Sequence, residues 1–140
     1  MILKYKKLHP EAVPPLFATS GSACFDLTSI STHIQGDNIT CTTGLAFEVP
    51  DGYVMLVYSR SGHGFKQGLR LANCVGVIDS DYRGELMVKL HKDRDGDFNI
   101  KHGDRVAQAM LVELPDYTLE EVSELSDTVR GTNGFGSTSK

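Results

Sequence analysis

Asn73-Cys74-Val75-Gly76-Val77-Ile78-Asp79-Ser80-Asp81-Tyr82-Arg83-Gly84-Glu85-Leu86 is the stretch on which the reading of this chain turns. Its apolar part, Cys74 to Ile78, is too short for a helix and reads as a strand. Two acids in a polar turn follow, then Tyr82, then Gly84, where a backbone can reverse. Beyond it Leu86, Val88 and Leu90 alternate against Glu85, Met87 and Lys89, the period of a second strand with one buried face. The pattern predicts a β-hairpin with a carboxylate and an aromatic ring at its mouth. Loops held by rigid elements are where sites are built.

Strand signals extend to both sides. Ile2 to Leu8 interleaves Ile, Leu and Tyr with lysines, as expected of an edge strand. Asn38 to Thr43 is rich in Thr and Ile. Leu45 to Val49 stops at Pro50-Asp51-Gly52, a turn signal. Tyr53 to Tyr58 is an apolar run that fits a strand covered on both faces. Phe98 to Ile100 and Val106 to Leu114 complete the set, with a turn at Asp93-Arg94-Asp95-Gly96-Asp97. Ser61 to Gln67 has room for one helical turn. Leu119, Val122 and Leu125 fall at helical spacing over too few residues to decide. Short strands at this density predict an all-β fold, a β-sandwich, jelly roll or barrel.

The chain has 140 residues, enough for one domain with a core. No linker or internal repeat divides it. Charged residues make up 23 % and hydrophobic ones 40 %, a globular composition. The net charge of −4 argues against non-specific nucleic-acid binding. No apolar run reaches the roughly 20 residues of a membrane helix, and the start, Met1 to Lys7, lacks a signal-peptide core. We expect a soluble cytoplasmic protein with no membrane partner, or one inside a host cell if its source is viral. Cys24, Cys41 and Cys74 share no C-x-x-C spacing and read as buried free thiols. The histidines 9, 33, 63, 91 and 102 show no ligand-spaced pair. Arg130 to Lys140, rich in Gly and Ser/Thr, reads as a tail that is mobile when empty.

Five short segments then occur in a telling order: Ala23-Cys24-Phe25-Asp26-Leu27, Arg60-Ser61-Gly62, the stretch quoted first, Gly103-Asp104-Arg105-Val106-Ala107-Gln108, and Arg130 to Thr138. In wording and order they resemble the five motifs of the trimeric dUTPase (deoxyuridine triphosphate nucleotidohydrolase) family. Cys24 stands where that family usually has Gly, and Ser59 where it commonly has Pro. The resemblance implies a jelly-roll-like homotrimer with active sites shared between subunits. It divides the chain into a domain over residues 1–129 and a C-terminal lid over residues 130–140. It also implies Mg²⁺-dependent hydrolysis of dUTP to dUMP and pyrophosphate, which keeps uracil out of DNA and supplies dUMP for dTMP synthesis.

Carried over position by position, the resemblance makes Asp79 the catalytic carboxylate, orienting the water that attacks the α-phosphorus. A carboxylate suits the task because it can accept the water's proton. Tyr82 would pack on the deoxyribose and exclude a 2′-hydroxyl. Asn73, Gly76, Val77 and Ile78 would contact uracil and sugar, largely through the backbone, with Met87 lining the substrate. Arg60, Ser61, Gly62 and Gln108 would bind phosphates. Asp26 would hold Mg²⁺ through water, since that ion favours hydrated oxygen sites. Arg130 would meet the γ-phosphate, Phe135 stack on uracil, and Gly136, Ser137 and Thr138 add donors. The tail superficially resembles a P-loop but lacks Gly-Lys-Ser/Thr and a following helix.

Two other readings share features with this one. A dCTP deaminase would need a glutamate at the cytosine amino group, and Glu85 is the only acid on the returning strand before Asp93. A β-sandwich that binds a regulatory protein, as its main or second role, is compatible with intact motifs.

Overall fold

A computed structural model describes residues 1–94 and 99–135. The turn at Asp95 to Asp97, Phe98, and the tail residues Gly136, Ser137 and Thr138 lie outside the described residues; Asn99 and Ile100, the rest of the strand expected at Phe98 to Ile100, are in neither strand nor helix, a run too short to hold a ladder. Ten strands run in the order β1 (Lys4–Lys7), β2 (Phe25–Thr28), β3 (Ser31–Gln35), β4 (Asn38–Thr42), β5 (Leu45–Glu48), β6 (Tyr53–Tyr58), β7 (Leu69–Leu71), β8 (Val75–Ile78), β9 (Met87–Lys92) and β10 (Arg105–Glu113). They form a pair β1-β5 and two four-stranded sheets, β2-β10-β6-β8 and β3-β4-β9-β7. Every ladder is antiparallel, in an all-β jelly roll as expected.

The core lies between the two larger sheets and follows a period of two. On β4, Ile39 and Cys41 are buried between half-buried Asn38, Thr40 and Thr42. On β9, Val88 and Leu90 are buried while Met87 and Lys89 are exposed, as the alternation predicted. Phe25 and Phe47 stack at 5.9 Å between centroids and link β2 to β5. Along β1 all four side chains are exposed, the solvated edge that its lysines suggested. The helical turn His63–Gln67 falls inside the span expected for it.

One expectation is corrected. The strands on either side of the Asp79 loop do not form a hairpin with each other. β8 pairs with β6, from Met55↔Ile78 to Tyr58↔Val75, whereas β9 pairs with β4 and β7 in the other sheet. Alternation fixes which face of a strand is buried, not which neighbour shares its ladder. Loop length carried the missing information. Eight residues, 79–86, separate β8 from β9, more than the 2–5 typical of a hairpin. The loop is an arch from one sheet to the other.

Past β10 the chain changes character. Every residue from Leu114 to Phe135 is exposed, in neither strand nor helix. Leu119, Val122 and Leu125, left undecided by their spacing, lie along this arm with exposures of 93 %, 50 % and 88 %. No helix among the described residues is long and apolar enough to cross a membrane.

Candidate active site

The first group of site residues gathers where β2, β10 and β6 run side by side. Asp26, between the core residues Phe25 and Leu27, points away from the core because successive strand residues face opposite sides. Gln108 stands opposite Asp26 on one side and Tyr58 on the other. Arg105 and Gln108 are an odd number of residues apart, so a regular strand would send them to opposite faces. A register shift between Arg105 and Ala107 re-phases β10. Val106 and Ala107 are consequently both fully buried, and both flanking polar side chains line one cavity.

That cavity, about 290 Å³, is lined by Asp26, Arg60, Ser61, Gly62, Arg105 and Gln108, with Cys24 at its wall. Asp26 accepts from Arg60 Nε at 3.2 Å and from Arg105 at 2.9 Å, and its side chain is only 14 % exposed. Arg60 also donates to the Arg105 carbonyl at 3.1 Å. Two guanidinium groups against one carboxylate leave a net positive charge beside open space, a suitable seat for phosphate oxygens. Gln108 Nε2 donates to the Ser59 carbonyl at 3.0 Å, and Ser59 Oγ accepts from Leu71 N at 2.8 Å. Ser59 thus links the end of β6 to β7 with a side-chain bond that proline could not make. Arg105 and Ser59 are the partners that sequence reasoning passed over.

Behind Arg60, His63 is half-buried and its Nδ1 is enclosed without a hydrogen-bond partner. Burial chiefly, then the Arg60 charge, holds its pKa below the ordinary 6.5, opposed by the Asp104 carboxylate. The unfolded chain therefore binds the proton more readily than the folded one. Stability is fully present above pH 6.5 and is lost as pH falls through the lower folded value. His63→Gln is expected to flatten the slope of Tm against pH between about pH 7 and 5. An unchanged slope would contradict this.

The second group lies on β8 and β9. A cleft of about 430 Å³ opens between the sheets, lined by Asn73, Gly76, Val77, Ile78, Met87 and others. A methyl group at Gly76 would come within 3.1 Å of Val57 Cβ, a tight contact that favours glycine where β8 approaches β6. Asp79 follows Ile78 at the rim, exposed, and its carbonyl accepts the Tyr82 amide at 3.3 Å. Tyr82 turns its hydroxyl onto the Glu85 carbonyl at 2.9 Å. Its ring lies over Gly84, where an added Cβ would sit 2.6 Å from the ring carbon that bears the hydroxyl. Gly84 therefore makes room for Tyr82, and the chain bends at it without a positive φ.

Glu85, the residue a deaminase would need, faces elsewhere. Its carboxylate accepts the Gly44 amide at 2.8 Å and borders a separate cavity beside Leu8 and His9. The expectation of three buried thiols is also corrected. Cys41 is buried, Cys24 partly so, and Cys74 is exposed with a left-handed φ of 63°. Burial pushes the Cys41 thiol up to about 11, with Asp104 adding to it and a Ser29 hydrogen bond opposing.

Within one chain the two groups share no lining residue, and neither cavity draws one from the arm. Arg130 donates to the Asn133 carbonyl at 3.0 Å, within its own turn. Phe135 is fully exposed. Among the described residues no cluster of three or more His, Cys, Asp or Glu could hold a metal. Asp26 is the acid lining the cationic cavity, and both its oxygens accept from arginines. So engaged, it suits a hydrated ion reached through water, the form Mg²⁺ favours, and not direct ligation.

The fold and its two cavities, one cationic and one largely apolar, describe an all-β jelly-roll protein, and the comparisons give the class its family. The sequence profile of the dUTPase family matches residues 11–139. The deoxyuridine 5′-triphosphate nucleotidohydrolase of Nautilia profundicola is 46 % identical over 142 aligned positions, covering 100 % of both chains. That of Helicobacter hepaticus is 43 % identical, covering 98 % of this chain and 88 % of its own. Among solved structures, the Staphylococcus bacteriophage 80alpha dUTPase with dUPNHPP aligns with a TM-score of 0.86 at 28 % identity over 98 % of each chain. The chain belongs to the dUTPase family, as its five motifs indicated.

Proposed function

We propose that this chain hydrolyses dUTP to dUMP and pyrophosphate. Water attacks the α-phosphorus; the bond from that phosphorus to the oxygen bridging to the β-phosphate breaks, and pyrophosphate leaves. Asp79 orients the water and takes its proton. The observation that carries the reading is the pairing, on one fold, of a largely apolar cleft lined up to Ile78, the residue before Asp79, with a pocket of two arginines and Gln108.

Asn73, Gly76, Val77 and Ile78 read the base and sugar, Met87 flanks them, and Tyr82 excludes a 2′-hydroxyl. Cytosine reverses a donor and an acceptor at one edge, which costs about 1–3 kcal/mol for each buried group left unpaired. Arg60, Ser61, Gly62 and Gln108 hold the phosphates, and Arg105 keeps Asp26 and Arg60 in register. Asp26, through water, would hold Mg²⁺ against the phosphate oxygens; when bound, the ion supplies charge neutralisation at the reacting phosphate. The active unit is a homotrimer. The cleft comes from one chain, the cationic pocket from a second and the lid over residues 130–140 from a third. In the lid, Arg130 meets the γ-phosphate, Phe135 stacks on uracil, and Gly136, Ser137 and Thr138 donate to phosphates. Ordered over ligand, it excludes bulk water. The physiological role is to limit uracil in DNA and supply dUMP for dTMP synthesis.

Pyrophosphate release from dUTP, dTTP, dCTP and UTP, with and without Mg²⁺, tests this. The expected result is metal-dependent release from dUTP alone. Ammonia from dCTP, or equal rates on all four nucleotides, would overturn it.

A further inference from the structure

We propose that Glu85 is a positioning residue for the Asp79 loop, acting through a clamp between that loop's foot and the corner joining β4 to β5. The proposal rests on the reading of Asp79 and Tyr82 as active-site groups.

The arch over residues 79–86 has no β8–β9 ladder beneath it, since its two strands belong to different sheets. Inside the arch, the Tyr82 amide bonds the Asp79 carbonyl, and Arg83 bonds the Ser80 and Tyr82 carbonyls at 2.6 and 3.0 Å. Those bonds keep its shape. They do not fix where it stands relative to the sheets.

The foot does that. Leu86 N donates to the Leu45 carbonyl at 2.8 Å, and buried Thr43 Oγ1 donates to the Leu86 carbonyl at 2.6 Å. Both act on Leu86, the last residue of the arch. Glu85, one step further into the arch, adds the side-chain tie to the corner, and it does so from both ends. Its carbonyl accepts the Tyr82 hydroxyl, and its carboxylate accepts the Gly44 amide.

Gly44 offers a fixed donor. Its φ is +66°, which L side chains rarely adopt, and an added Cβ would meet Ile30 Cδ1 at 2.8 Å and Ala12 Cβ at 3.0 Å. The amide is thus held against the core by its surroundings and presents one direction to Glu85. Through one residue, the ring of Tyr82 and the arch carrying Asp79 are referenced to a rigid corner.

The test is steady-state kinetics of the full chain on dUTP. Glu85→Ala is expected to lower kcat by about 10²-fold, the scale of a misplacement near 1 Å. KM should change by no more than about threefold, because β8 stays laddered to β6 and the phosphate pocket is untouched. Glu85→Gln, whose amide oxygen still accepts from Gly44, should restore kcat to within about threefold of the parent. Should the Ala variant not fold, Glu85→Asp, one methylene too short to reach Gly44, should show the same loss in kcat. Parental kcat in Glu85→Ala or Glu85→Asp would overturn the clamp. So would a Gln variant as slow as Ala, which would assign the effect to charge. Asp79→Asn, assayed alongside, separates the two claims. If it is inactive while Glu85→Ala is normal, positioning falls and the functional reading stands; if it is active, the functional reading itself falls.

Discussion

Asp79→Asn is expected to bind dUTP as the parent does and to turn it over about 10³- to 10⁴-fold more slowly, the upper part of what a positioned general base contributes. The substitution keeps the shape of the side chain while removing its charge and its ability to take a proton. The structure gives reason to expect no other damage. Asp79 is exposed, and the bond it contributes to its turn comes from its carbonyl, which asparagine retains. The melting temperature should therefore stay at the parental value. Binding by calorimetry and single-turnover kinetics on the same preparation check both halves. Near-parental turnover would remove Asp79 from the chemistry.

The second large effect is expected from truncation. Removing residues 130–140 should leave the fold and its melting temperature intact while lowering kcat/KM by about 10²- to 10³-fold, as loss of pre-placed donors does. Among the described residues, neither the core nor either cavity draws on residues 130–135 in the single chain. Arg130 bonds within its own turn, and Phe135 lies bare. An aromatic side chain and an arginine left in solvent at the end of an exposed arm suit a lid whose contacts form elsewhere. Parental kcat/KM in the truncated chain would make it an inert tail.

Much of this was legible in the sequence, for reasons that can be named. Long apolar or alternating runs such as Tyr53–Tyr58 and Met87–Lys92 declared themselves because burial imposes the period of two. β3, Ser31–Gln35, did not. Four of its five residues are exposed, so it carries no apolar pattern, and only the two residues separating it from β4 hint at a tight hairpin. β2 is four residues long with an aspartate inside, and β7 has three; both are too short for periodicity to speak.

At the site, the five motifs offered candidate residues but not their grouping. That Arg105 shares a cavity with Gln108 depends on a one-residue register shift, visible in sequence only as the consecutive small apolar pair Val106-Ala107. Cys74 was expected inside as a free thiol outside any C-x-x-C spacing, yet it precedes β8, an edge strand that leaves Val75 39 % and Val77 62 % exposed. Apolar composition tells that a residue seeks cover, not that its own chain supplies it. The partners of Glu85 and Ser59 are backbone amides distant in sequence, which no motif encodes.

The central claim is that the cleft beside Asp79, the arginine pocket and the tail meet only between copies. Co-expression of the Asp79→Asn chain with the chain lacking residues 130–140 tests it, since each variant is intact where the other fails. Random mixing of three copies should restore about a quarter of the parental sites, from two inactive proteins. Activity no greater than the sum of the two variants alone, in preparations shown by mass to be mixed trimers, would mean that each chain builds its site unaided.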